Sequence, residues 1–244
     1  MQKILIRMQN KVKKELQKLA NPEKAKLLSG FFKTGKGQYG EGDIFLGITV
    51  PAQREVAKRN LGIGFSEISD LLKSKIHEHR LVGLLILVEN FRKMDDAGKK
   101  KIFEFYMKNT KAINNWDLVD LSSSRILGEY LLKKERKRRE ERKILYRLAK
   151  SKNLWEKRIS IISTLAFIRE KEFDDALAIS EILLHDKHDL IHKAVGWALR
   201  EIGKKDQETE EKFLRKYYKT MPRTMLRYSI ERFDEKKRKF YMGK

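Results

Sequence analysis

Trp116 and Asp120 lie four residues apart in the segment INNWDLVDL (113–121), so on a helix they share one face. An indole offers a π-face to a cation. A carboxylate beside it can stabilise a developing positive charge or orient a water. Asp117 has a simpler reading. It follows Asn114, a natural N-cap, by three residues, where an acid suits a helix N-terminus. Asp120 lies a turn further in and has no such explanation. Comparable chemistry recurs downstream: Arg158 follows Trp155 by three in LWEKR, and Trp197 follows Lys193 by four in KAVGW.

The elements that must position these residues read as helices. Apolar residues recur at three and four spacing through 76–92, 154–168 and 187–202. Asn21-Pro22, Pro51 and Pro222 mark helix starts, and the β-branched residues of GITV, just before Pro51, are the slight exception to helical patterning. Aligned on a charged residue followed by an apolar one, five segments fall into register at Arg80, Asp120, Arg158, Lys193 and Arg227. Their spacings are 40, 38, 35 and 34 residues. A helix pair recurring at about 35–45 residues predicts an all-α array of HEAT-like repeats, stacked into a curved α-solenoid. Four of the five anchors are basic, so the register predicts a basic stripe along the concave face, a cradle for phosphates. Asp120 is the exception, and an acid within such a stripe calls for a separate role.

Composition points the same way. The 244 residues carry 56 Lys and Arg against 34 Asp and Glu, a net charge of +22, which favours a polyanionic partner. Three prolines and no long Gly/Ser linker argue for one continuous domain over 1–244. The start, MQKILIRMQNKVKKELQ, reads as an amphipathic helix and not a secretory signal, and no stretch reads as a membrane span. The absence of cysteine excludes disulfides and thiolate metal sites, and suits a cytoplasmic protein that reaches the nucleoid through DNA binding. GFFKTGKG (30–37) approaches a phosphate-loop pattern, but Gly37 stands where Ser or Thr must bind magnesium and no strand precedes it. The surrounding TGKGQYGEGD reads instead as a loop along the DNA backbone, with Lys33 and Lys36 near phosphates. His188 and His192 stand at i,i+4 spacing with His185 nearby, but no third metal ligand is obvious beyond the flanking Asp186 and Asp189. The run KKERKRREERK (133–143), with its interleaved glutamates, reads as a solvated helix face that adds non-specific DNA affinity.

Together and in order, NPEKA (21–25), FFKTGKGQYGEGDIFLGITVPAQREVAK (31–58), NWDLVD (115–120), LWEKR (154–158) and KAVGWALRE (193–201) resemble the AlkD family of DNA alkylation-repair glycosylases over most of the chain. The resemblance implies HEAT-like repeats and excision of N3- and N7-alkylated purines, such as 3-methyladenine and 7-methylguanine, from double-stranded DNA in base excision repair. It implies an active site of Trp116, Asp120, Arg158 and Trp197, with Phe31 in place of a tyrosine often found in the family. Arg80, Lys193, Arg227, Lys33 and Lys36 are the expected DNA contacts. No cofactor and no metal are expected, and the protein is expected to act as a monomer. A non-catalytic HEAT-like module for damaged or branched nucleic acid accounts equally for the charge and the repeats. It does not account for Trp116 and Asp120 on one face.

Overall fold

In the computed structural model, which describes residues 11–132 and 140–243, the chain is all-α and built from successive helix pairs. It forms two compact units, Met1–Ser122 and Ser123–Lys244. In the N-terminal unit, α1 (residues 11–18) precedes α2 (Pro22–Phe31), α3 (Val50–Arg59), α4 (Phe65–Leu72), α5 (His77–Lys93), α6 (Asp96–Lys108) and α7 (Trp116–Ser123). Local chemistry sets the starts. Asn21 accepts the Lys24 N–H at 3.0 Å with Pro22 at the first helical position, and the Glu67 carboxylate accepts the Gly64 N–H at 3.2 Å. The apolar run of α5 is buried all round from Leu81 to Val88 because α3, α4 and α6 pack against it. The GITV segment forms no strand: Gly47 turns the chain with φ +83°, and Val50 already begins α3. Among the described residues the single β-pairing is an isolated parallel bridge between Ile44 and Ile76.

The C-terminal unit opens with a π-helical turn, Ser124–Gly128, running into a helical turn, Glu129–Leu131. It continues through α8 (Lys143–Ala149), α9 (Leu154–Ser163), α10 (Leu165–Arg169), α11 (Asp174–Ile182), α12 (Asp189–Gly203), α13 (Gln207–Tyr217), α14 (Arg223–Ser229) and α15 (Glu235–Met242). Helix α12 is the hub of this unit, packing against α9, α13 and α14. Most of the basic run expected at 133–143 lies outside the described residues. Its last arginine, Arg142, is no solvated residue: it is 9% exposed, pairs with Glu172 at 2.8 Å and Asp175 at 3.0 Å, and stacks on Phe167.

The repeat register read from the sequence is present in the backbone. Arg80 is the fourth residue of α5, and Asp120, Arg158, Lys193 and Arg227 are each the fifth residue of α7, α9, α12 and α14. Each of these helices follows a partner helix, which makes one HEAT-like pair per anchor.

Two packing details carry testable consequences. A Cβ on Gly196 would stand 2.5 Å from both the Met225 carbonyl oxygen and Tyr228 Cβ, so α12 and α14 meet through that glycine. Gly196→Ala should lower unfolding free energy by about 1–3 kcal/mol, the usual cost of overpacking, as measured by urea denaturation. Glu210 on α13 is 1% exposed, and burial, with Glu211 beside it, outweighs the Arg200 charge and pushes its carboxyl from the ordinary 4.5 up to about 9. The folded protein therefore holds a proton that the unfolded chain releases. The associated stability is complete below pH 4.5 and is lost as pH rises towards 9. Glu210→Gln should raise the Tm at pH 8 by more than at pH 5; an equal change at both would contradict a buried neutral Glu210.

Candidate active site

Trp116 opens α7, and its position is fixed from both sides. Its backbone N–H donates to the Asn115 side chain at 2.8 Å, so Asn115 and not Asn114 makes that first-turn contact. Its indole lies flat on Phe32, with ring centroids 5.1 Å apart and planes 8° from parallel, and meets the edge of Phe31 at 5.9 Å. Phe32 also stacks on Phe45 at 4.9 Å, so the half-buried Trp116 caps an aromatic column rising from the core. Phe31 remains 65% exposed beside it. Asp120 is half-buried one turn along α7.

Asp117 is not the simple helix-terminus acid of the sequence reading. It is buried, and its Oδ2 lies 2.8 Å from His77 Nε2. The opposite ring nitrogen, Nδ1, lies 3.1 Å from Asp43 Oδ2. Asp43 in turn accepts from Arg80 at 2.6 Å through Oδ1 and from the Asn115 amide at 3.2 Å. Burial by itself would raise the Asp43 pKa, but the hydrogen bond from His77, the Arg80 charge and the Asn115 amide outweigh it and hold the carboxyl below its ordinary value. Burial likewise drives His77 towards the neutral ring, yet Asp117 and Asp43 reverse this and raise its pKa above 6.5. Glu78, fully buried, completes the cluster by accepting the N–H groups of Leu46, Gly47 and Ile48 at 2.8–3.2 Å. Gly47 there has φ +83°, and a Cβ would stand 2.2 Å from the Asn21 carbonyl oxygen, so only glycine fits this crossing.

Arg80, expected from the sequence as a DNA contact, is placed differently. It is 4% exposed, and its guanidinium is committed to Asp43 and to the Ser74 carbonyl at 2.8 Å. It shares the register of Asp120, Lys193 and Arg227 but not their access to solvent, because the loop after α2 folds Asp43 over it. Lys33 and Lys36 in that loop are exposed, Lys33 with a left-handed backbone at φ 52°.

In the C-terminal unit, Arg158 is 5% exposed and donates to the Leu190 carbonyl at 2.5 Å, which joins it to the first turn of α12. Lys193 and Trp197 follow on one face of that helix, both half-buried, with Lys193 paired to Asp189 at 2.7 Å and the Trp197 N–H donating to Glu201 at 3.2 Å. Arg227 is exposed on α14, and Trp155 belongs to the core. His188 and His192 act as local fasteners: His188 accepts the Leu190 N–H at 3.1 Å, and His192 donates to the Asp186 carbonyl at 2.5 Å.

A model of the DNA alkylation repair enzyme family matches residues 12–233. The chain belongs to this family. A solved structure described as a predicted DNA alkylation repair enzyme from Enterococcus faecalis shares the fold, with a TM-score of 0.66 over 88% of this chain and 97% of that one, at 16% identity. No curated protein matches the chain. Among the described residues, no helix of this alkylation-repair protein is long and apolar enough to cross a membrane, and no cluster of His, Asp and Glu is arranged to hold a metal.

Sequence reasoning missed the buried cluster. The run His77-Glu78-His79-Arg80 opens an otherwise apolar helix and was the available signal, but its partners stand 30 to 40 residues away. Removing Arg80 leaves Asp43 a buried carboxylate without its shortest hydrogen bond, 2.6 Å, and the guanidinium charge. Arg80→Ala should therefore cost about 3–5 kcal/mol of stability by chemical denaturation. A stable variant with a flatter salt dependence of DNA binding would instead put Arg80 on phosphate.

Proposed function

We propose that this alkylation-repair protein is a monofunctional DNA glycosylase that hydrolyses the N-glycosidic bond of cationic N3- and N7-alkylated purines, with 3-methyladenine and 7-methylguanine as its simplest substrates. The observation that carries this reading is the joint presentation of Trp116 and Asp120 one turn apart on α7, with the indole braced flat against Phe32. A braced tryptophan next to a carboxylate suits a cationic transition state.

The chemistry fits that pair. Alkylation at N3 or N7 leaves the purine positively charged, so when the bond from N9 to the sugar C1′ breaks, the electron pair goes to the base. The base then departs neutral without a proton. The second carboxylate of ordinary glycoside cleavage becomes unnecessary. The sugar acquires oxocarbenium character, which the Asp120 carboxylate stabilises while it orients a water and takes its proton as oxygen bonds to C1′. Trp116 and Trp197 offer π-faces to the cationic nucleotide. Lys33, Lys36, Lys193 and Arg227 contact the phosphate backbone, and Arg158 reaches a phosphate from the seat that Leu190 gives it. Arg80, buried against Asp43, is left out of this set.

The test is release of free base from methylated duplex DNA. The native protein should release 7-methylguanine or 3-methyladenine, and Asp120→Asn should lose on the order of 10²–10⁴-fold in rate, the usual contribution of a positioned acid or base. Binding to the same DNA should be retained or strengthened, because a charge that repels phosphate is gone. Loss of binding in that variant, or DNA binding without base release by the native protein, would overturn the assignment. Arg227→Ala should weaken binding and reduce the slope of log K against log[salt] by about 0.9, the value for one phosphate contact on duplex DNA.

A further inference from the structure

The imidazole of His77 is held by carboxylates at both nitrogens, Asp43 on Nδ1 at 3.1 Å and Asp117 on Nε2 at 2.8 Å. An ionised carboxylate only accepts hydrogen bonds, so a ring bonded to two of them must carry both protons. Asp43 also accepts from Arg80 and Asn115, which fixes it as the ionised form. The ring is then an imidazolium. With Arg80 it balances the two carboxylates, so these four groups are neutral together. Phe45 stacks on the imidazole at 4.6 Å and Phe32 lies tilted against it at 5.0 Å, an arrangement that favours the charged ring. Phe32 is the same ring that braces Trp116 on its other contact.

His77 therefore touches three elements that determine where Trp116 sits. Through Asp43 it holds the loop that carries Lys33 and Lys36. Through Asp117 it holds the first turn of α7, one residue past Trp116. Through Phe32 it meets the platform under the indole. We propose that His77 is a positioning residue for the glycosylase site: its protonated ring locks the first turn of α7 to the loop after α2, and so sets Trp116 and Asp120 in their working attitude. This rests on the function proposed above.

Loss of the ring proton would leave a nitrogen lone pair facing a carboxylate. The groups facing the ring are Asp43 from the loop, Asp117 from α7 and Arg80 from α5, and with a neutral ring they sum to one uncompensated buried negative charge. The lock then weakens as pH rises through the raised His77 pKa, above 6.5, and is complete below it.

Two measurements test this. In single-turnover base release from methylated DNA, His77→Gln should slow the chemical step by about 10- to 100-fold, the range expected when reacting groups shift by about 1 Å. Its affinity for unmodified DNA should stay within about 2-fold of native, because Arg80 still holds Asp43 and with it the loop that carries Lys33 and Lys36. The native rate should decline at alkaline pH, and the variant should lose that limb. A His77→Gln protein with native rate and native pH profile would overturn the proposal. The second measurement needs neither activity nor a His77 variant. Tryptophan fluorescence of the native protein should show a titration above pH 6.5 that disappears in Trp116→Phe; no transition, or one that survives in Trp116→Phe, would overturn it. If the native protein releases no base while this titration is present, the glycosylase reading fails and the coupling of His77 to Trp116 stands.

Discussion

The N-terminal unit depends on a hydrogen-bonded cluster of acidic and basic side chains buried at the start of α5. His77, Glu78 and Arg80 are each less than a tenth exposed, and each reaches to a different piece of chain. Glu78 gathers the three N–H groups of segment 46–48, Arg80 and His77 share Asp43, and His77 continues to Asp117. The segment between α2 and α3 has no sheet or helix to satisfy its backbone. Without Glu78 its buried donors at 46–48 would lack partners, at about 1–3 kcal/mol each. The cluster substitutes for secondary structure, and it places that loop against α7.

This arrangement separates two jobs that a basic protein must keep apart. A net charge of +22 serves binding to a polyanion, yet buried cations are tolerable only when paired. Arg80 and Arg142 are on the paired side, each held by carboxylates inside its own unit. Lys33, Lys36 and Arg227 are on the open side. Arg158 stands between these cases, largely buried and bonded to a helix carbonyl, where a guanidinium with five donors can hold a fixed attitude better than a lysine. The same logic operates at Trp116 and Trp197. Each is half-buried, one braced by an aromatic stack and the other tethered by a hydrogen bond to its own helix, so neither indole is a loose surface group.

The repeats are built to different internal tolerances. In the C-terminal unit, helices approach so closely at Gly196 that backbone meets backbone, and at Gly128 a Cβ would stand 2.3 Å from the Ser163 carbonyl oxygen. In the N-terminal unit the contacts around α5 are made by side chains, and the glycine that matters, Gly47, serves a loop crossing. A glycine one residue before Trp197 thus has a packing reason: it sets the depth at which the face bearing Lys193 and Trp197 is presented.

Helical periodicity, proline starts and the spacing of five anchors determined the all-α class and the helix-pair register, because these are local properties repeated along the chain. The motif order from NPEKA to KAVGWALRE was enough to point to the family, which the match over residues 12–233 bears out. Register alone could not tell an exposed anchor from a buried one. Arg80 and Arg227 occupy nearly the same place in their helices, and only the fold of the 32–49 loop, which brings Asp43 to Arg80 across 37 residues, buries the first and leaves the second open. For the same reason Asp117 read as a helix-terminus acid until tertiary structure set His77 against it, 40 residues away. Sequence reports the face on which a side chain leaves its helix; burial and charge partners depend on what the rest of the chain packs there.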